Sequence, residues 1–202
     1  MQKLAEKALA VLDQDPTHHI RLGLRQAIWA QFGPRATPEG RLGRAAHLQR
    51  AALAASAAAR VQPLWRYRYG NDELPSTALA TIKEITAARL SAQQAQAVFN
   101  DLWNQALHIA TDDPAPEVAS GFAAIQAVGA ALYDEAFNSN AIDLERLDED
   151  DPENHDAAFY AAAAEAGGMP WDEGSNSDQR HQFWRWWLKE AVAIESSKQF
   201  SK

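Results

Sequence analysis

His155-Asp156 places an imaginable pair of metal ligands, an imidazole and a carboxylate, side by side. Hydrolysis on a bound metal would need at least one more histidine and another aspartate converging on the ion, with Asp112-Asp113 as the second acid pair. The other histidines, His18, His19, His47, His108 and His181, form no His-x-x-x-His pair in a zinc-protease order. Neither a Gly-x-x-x-x-Gly-Lys-Ser/Thr phosphate loop nor a Gly-x-Ser-x-Gly nucleophile elbow occurs. A metal-dependent helical hydrolase centred on His155 and Asp156 therefore stands as the alternative, and the expectation is a protein that is not an enzyme, with no catalytic residues, cofactor or metal.

The acids make a stronger pattern. Asp148, Glu149, Asp150 and Asp151 are consecutive, with Glu153 close behind. Adjacent carboxylates repel one another unless a cation or solvent screens them. Some of these acids can serve a helix N-terminus, and Asp151-Pro152 is a good helix opening. The sharper reading makes Asp148, Glu149, Asp150, Asp151 and Glu153 a docking site for a basic protein surface. The run lacks the Asp-x-Asp-x-Asp-Gly ladder that wraps calcium.

Charge is distributed unevenly along the chain. Residues 1–70 hold 11 Lys+Arg against 4 Asp+Glu, and residues 71–202 hold 8 against 23, for a net charge of −8. Two readings follow: the halves pack against each other, or the acidic part meets a basic partner. Nucleic acid is disfavoured as a partner, because phosphate binding rests on clustered cations. The alternating aromatic and basic stretch Trp65-Arg-Tyr-Arg-Tyr69 could stack bases, but it is short and its rings are expected to pack inward as a connector after a helix. With no cysteine, no apolar leader and no apolar run long enough to span a bilayer, the expected setting is cytoplasmic, away from membranes.

The elements that must position these residues all read as helices. Leu4, Ala8, Val11 and Leu12 define a first one, and Ile20, Leu24, Ile28 and Phe32 a second. Arg41 to Val61 is an alanine-rich helix that Pro63 is expected to end or kink. Ser76 to Leu90 follows, and Ser91 with Gln94 forms a capping box for the next, whose apolar face is Phe99, Leu102, Trp103, Ala106, Leu107 and Ala110. Val118, Phe122, Ile125, Gly129, Leu132 and Ala136 continue the rhythm, and a helix opened by Asp151-Pro152 runs to Gly167-Gly168. The expected fold is all-α, a single-domain helical bundle or orthogonal array of about eight helices over residues 1–202.

Ser177-Asp178 opens the last helix, which carries three of the seven tryptophans. Trp184, Trp187, Leu188, Ala191 and Val192 share one face and are expected in the core. Trp186 falls almost opposite Trp184, so it is the aromatic that core packing explains least and a candidate partner contact. Trp171 is expected to fold back over this helix, with Asp172 and Glu173 near Arg180 or Arg185.

The motif Asp156…Phe159…Gly167-Gly168-x-Pro170-Trp171-x-Glu173-Gly174-Ser175…Arg180…Phe183-Trp184-x-Trp186-Trp187-Leu188…Glu190-Ala191-Val192 resembles the C-terminal signature of the fifth immunity-protein family of bacterial polymorphic toxin systems. The likeness is specific over 156–192 and extends to the rest only in class and length. It implies an all-α immunity protein, encoded beside a cognate toxin, that neutralises the toxin domain by direct protein contact and so protects the producing cell in interbacterial competition. A helical adaptor for some other basic protein differs from this mainly in gene context. Oligomeric state and toxin chemistry are not implied.

Overall fold

A computed structural model describes residues 1–36, 43–113, 115–134 and 142–198, and among them every regular element is helical. In chain order these are α1 (Gln2–Gln14), α2 (Leu22–Ala30), α3 (Arg44–Tyr69), α4 (Leu74–Thr86), α5 (Ala92–Asp112), α6 (Val118–Tyr133) and α7 (Ala157–Ala166). The last rod, α8, begins at Ser177–Trp186, passes through a wider π turn at Trp187–Ala191 and finishes as Val192–Ser197. Counted as one rod, it makes eight helices among the described residues, as the periodicity predicts. Of the apolar positions that run from Val118 to Ala136, the last lies outside the described residues.

Helix α6 is apolar on nearly every side, and a helix of that kind has to be surrounded. It is flanked by α3, α4, α5 and α7, and its alanines and glycines let those neighbours come close. The closest approach is at Gly121: a β-carbon there would stand 2.5 Å from Cζ3 of Trp65. Trp65 is itself enclosed, and its indole N–H donates to Asp72 Oδ1 at 3.0 Å.

That tryptophan belongs to a helix, which corrects the expectation for residues 62–69. Instead of stopping near Pro63, α3 runs on to Tyr69. The proline is exposed, and so is Ala59, whose carbonyl loses its partner to the missing N–H. Solvent can satisfy a carbonyl on the outer side of a helix, so the break is tolerated. Trp65-Arg-Tyr-Arg-Tyr69 is thus neither strand nor connector; Trp65 points into the core while Tyr67 is 87% exposed.

Two further boundaries move. Asp151-Pro152 opens only a single 3-10 turn, Pro152–Asn154, and α7 is capped instead by Asp156, whose Oδ1 accepts from the Phe159 N–H at 2.9 Å. At α8 the cap is Asn176, which accepts from Gln179 N–H at 3.1 Å. The capping box at the start of α5 is present as expected, with Ser91 and Gln94 bonded reciprocally.

Candidate partner-binding surface

The segment 142–156 carries no α-helix, so its position depends on what it is pinned to. Its first pin is a close backbone contact. Gly23, in the first turn of α2, donates its N–H to the Arg146 carbonyl at 3.2 Å, and a β-carbon on Gly23 would lie 1.8 Å from the Asp143 carbonyl oxygen. Only glycine lets the segment lie there.

The second pin is ionic. Arg25, two residues further along α2, donates from Nη2 to Asp148 Oδ1 at 2.6 Å and from Nη1 to Asp148 Oδ2 at 3.0 Å. Its Nε reaches Asp156 Oδ2 at 2.8 Å, and Nη1 also meets the Ile20 carbonyl at 2.7 Å. His19 Nε2 donates to Asp148 Oδ2 at 2.9 Å, and His155 Nε2 donates to the Asp148 backbone carbonyl at 3.1 Å. Phe159 and Trp184 close over the guanidinium, their ring centroids 5.4 and 5.7 Å from Cζ.

The protonation states follow from this enclosure. Burial opposes ionisation of Asp148, yet Arg25 and His19 outweigh it and hold the carboxyl well below the usual carboxylate range. Burial likewise works against the Arg25 charge, and Asp148 with Asp156 more than restores it. His19 and His155 are both pushed down by burial despite their contacts to Asp148, so each is neutral near pH 7. An ion pair of this kind holds two distant chain segments together; breaking it leaves a buried charge alone.

This geometry sorts the acidic run. Asp148 is 1% exposed and committed to Arg25 and His19, so it anchors the segment and does not present its carboxylate to a partner. Asp151 is also mostly enclosed, paired with Arg146 and accepting two bonds from Asn154 Nδ2, each 2.8 Å. Glu149, Asp150 and Glu153 remain exposed, with no cationic partner among the described residues. The structure therefore divides five adjacent candidates into a frame of two and a displayed set of three.

Trp186 is set apart from them. It is half-buried, its ring under the Arg60 guanidinium at 4.5 Å and against Phe183 at 5.6 Å. Arg60 in turn pairs with Glu165 at the far end of α7, so that helix, about 15 Å long, separates Trp186 from the acidic segment. Trp184 and Trp187 are fully buried as the helical wheel requires. Trp171 departs from expectation: it lies on His155 and Phe159 of α7, with centroids 6.1 and 5.9 Å away, and stays 47% exposed. Asp172 accepts from the Met169 N–H and acts electrostatically on Arg180, as expected, while Arg185 lies near Asp13.

The uneven charge along the chain has an internal explanation. Arg21, Arg25, Arg50, Arg60 and Arg68 from the basic part pair with Glu145, Asp148, Asp134, Glu165 and Asp113 from the acidic part. Five ion pairs thus join the two halves across the fold, and the first of the two readings accounts for part of the polarity.

The hydrolase alternative loses its residues to structural duties. His155 stacks on Phe159 at 3.9 Å and spends Nε2 on a carbonyl; Asp156 uses one oxygen on the α7 cap and the other on Arg25. Asp113 is paired with Arg68. Among the described residues no group of three or more histidines and acids could hold a metal ion.

Sequence comparison supplies the family. The family model described as Immunity protein Imm5 matches residues 5–194. The chain belongs to the Imm5 immunity protein family. The match runs through all eight helices, so the Imm5 likeness extends well beyond the tryptophan-rich C-terminal motif. No curated protein matches the chain. Among the described residues of this Imm5 protein, no helix is long and apolar enough to cross a membrane.

Proposed function

We propose that this Imm5 protein protects its cell by binding a cognate toxin domain directly in the cytoplasm, performing no catalytic step of its own, and that Glu149, Asp150 and Glu153 make first contact. The observation that carries this reading is that these three have no cationic partner among the described residues, while Arg25, Arg50 and Arg60 are matched to acids. Exposed carboxylates fixed on a pinned backbone attract a basic surface without first having to be ordered. Such charge complementarity speeds encounter, which matters for a lethal target. Trp186 joins the contact at the other end of α7, a span that an interface of about 800 Å² per partner accommodates.

Co-purification with the product of the neighbouring gene, together with survival of cells expressing that product, tests the reading. Capture and survival are expected with the intact chain. A well-folded preparation that neither captures the product nor protects against it overturns the proposal.

A further inference from the structure

Beside the displayed acids lies a cavity of about 180 Å³, built from three chain segments. Asp15, Thr17, His19 and Arg21 come from the α1–α2 connection, Leu147, Asp148 and Glu149 from the acidic segment, and Pro170 and Trp171 from the loop after α7. Side-chain bridges fix these walls relative to one another. Buried Arg180 donates to the Thr17 carbonyl at 2.9 Å and to the Gly168 and Met169 carbonyls at 3.1 and 3.0 Å, stapling the first wall to the third. Asp148, through His19, ties the second to the first.

The walls favour a cation carried on an apolar stem. Leu147 and Trp171 are 39% and 47% exposed, and they stand together at this cavity. Of the charged groups lining it, Arg21 is spent on Glu145, and Asp148 is matched by Arg25. Asp15 takes its hydrogen bonds from neutral donors, the Thr17 N–H and hydroxyl, and shares the field of buried Arg180 with Asp172, while Glu149 has no cationic partner among the described residues. The unbalanced charge is therefore negative. His19 lines the cavity as a neutral ring, its Nε2 proton directed at Asp148 and its Nδ1 enclosed away from solvent. Liquid water occupies roughly 30 Å³ per molecule, so the cavity has room for a long side chain.

We infer that this cavity receives a lysine or arginine side chain of the partner protein, its stem against Leu147 and Trp171 and its charged head between Asp15 and Glu149. A cation over the exposed indole face adds the ring's own attraction. The inference rests on the proposed binding of a toxin domain and specifies where one of its basic residues is held.

The test measures affinity of the neighbouring gene product for Trp171→Ala, Trp171→Leu and Glu149→Gln, with Leu107→Ala as a distant control and circular dichroism to verify folding. Affinity is expected to fall at least tenfold in Trp171→Ala and Glu149→Gln, less in Trp171→Leu, and not in the control. Changes within twofold in folded Trp171→Ala and Glu149→Gln overturn the inference while leaving direct binding intact. Should the unaltered chain bind no such product, the functional reading fails instead, and a second arm decides the cavity by itself. There, acetyl-arginine-methylamide or acetyl-lysine-methylamide is titrated while the Trp171 indole resonance is followed. A saturable shift absent with acetyl-citrulline-methylamide is expected. No shift, an equal shift with the citrulline compound, or a shift produced instead by calcium or magnesium overturns it.

Discussion

Arg25 and Asp148 stand 123 positions apart in sequence and meet through two hydrogen bonds, with both side chains wholly excluded from solvent. The pair is the reason a non-helical acidic segment has one position on this helical protein. It also decides which carboxylates are available to anything outside.

Removing one member should therefore be far more costly than removing a displayed neighbour. Asp148→Asn is expected to lose about 3–5 kcal/mol of stability, since Arg25 keeps its charge in a buried site. Glu149→Gln and Asp150→Asn should each stay within about 0.5 kcal/mol of the unaltered protein. Urea unfolding of the three variants measures the contrast.

The two histidines on this pair predict a pH response. His19 and His155 are held neutral in the folded protein by burial and regain the ordinary value of 6.5 on unfolding. Below that value the unfolded chain binds more protons than the folded one, so stability is complete above 6.5 and declines as pH falls from there toward the lowered folded values. Asp148 adds a later loss below the carboxylate value of 3.8, because its folded value is lowered too. Thermal unfolding between pH 7.5 and 5 should show the first decline, and His19→Gln should flatten it.

Gly121 faces a different constraint. Gly121→Ala places a methyl group 2.5 Å from the Trp65 ring, in the first turn of α6 where that helix packs on α3. Overpacking of this sort costs about 1–3 kcal/mol despite the better helix propensity of alanine. Denaturant unfolding gives the magnitude, and a changed Trp65 environment in near-ultraviolet circular dichroism locates it.

For the proposed docking surface, the combined variant Glu149→Gln, Asp150→Asn, Glu153→Gln isolates the displayed charges without touching the anchor. Its association with the toxin domain is expected to slow at least tenfold at low salt and to lose most of its salt dependence, with stability nearly unchanged. Stopped-flow association at two ionic strengths checks this; unaltered rates at both would remove these acids from the interface.

Much of the architecture was readable from local pattern. The spacing of Leu4, Ala8 and Leu12, the Ser91–Gln94 box and the paired faces of Trp184 and Trp187 all concern residues within a few turns of one another, where helical periodicity operates. The anchors left a local trace as well. Arg25 stands between Leu22 and Trp29, Arg50 between Ala46 and Leu53, and Arg180 before Phe183 and Trp184, each on an otherwise apolar stripe that ends up buried. A cation on such a stripe marks a buried polar contact, though it does not say with what. Arg25 and Arg50 met carboxylates, whereas Arg180 met three carbonyls.

By itself the sequence determined an all-helical chain, the caps and faces of most of its helices, and a C-terminal motif like that of the Imm5 family, because each is written in neighbouring residues. Only the tertiary structure decided that Asp148 is an anchor, that Glu149, Asp150 and Glu153 are displayed, and that Trp171 borders a cavity. Those outcomes depend on which side chains from α2 and the α1–α2 connection arrive beside the acidic segment. Consecutive carboxylates look alike along the chain, and it is a guanidinium more than a hundred positions away that makes them differ.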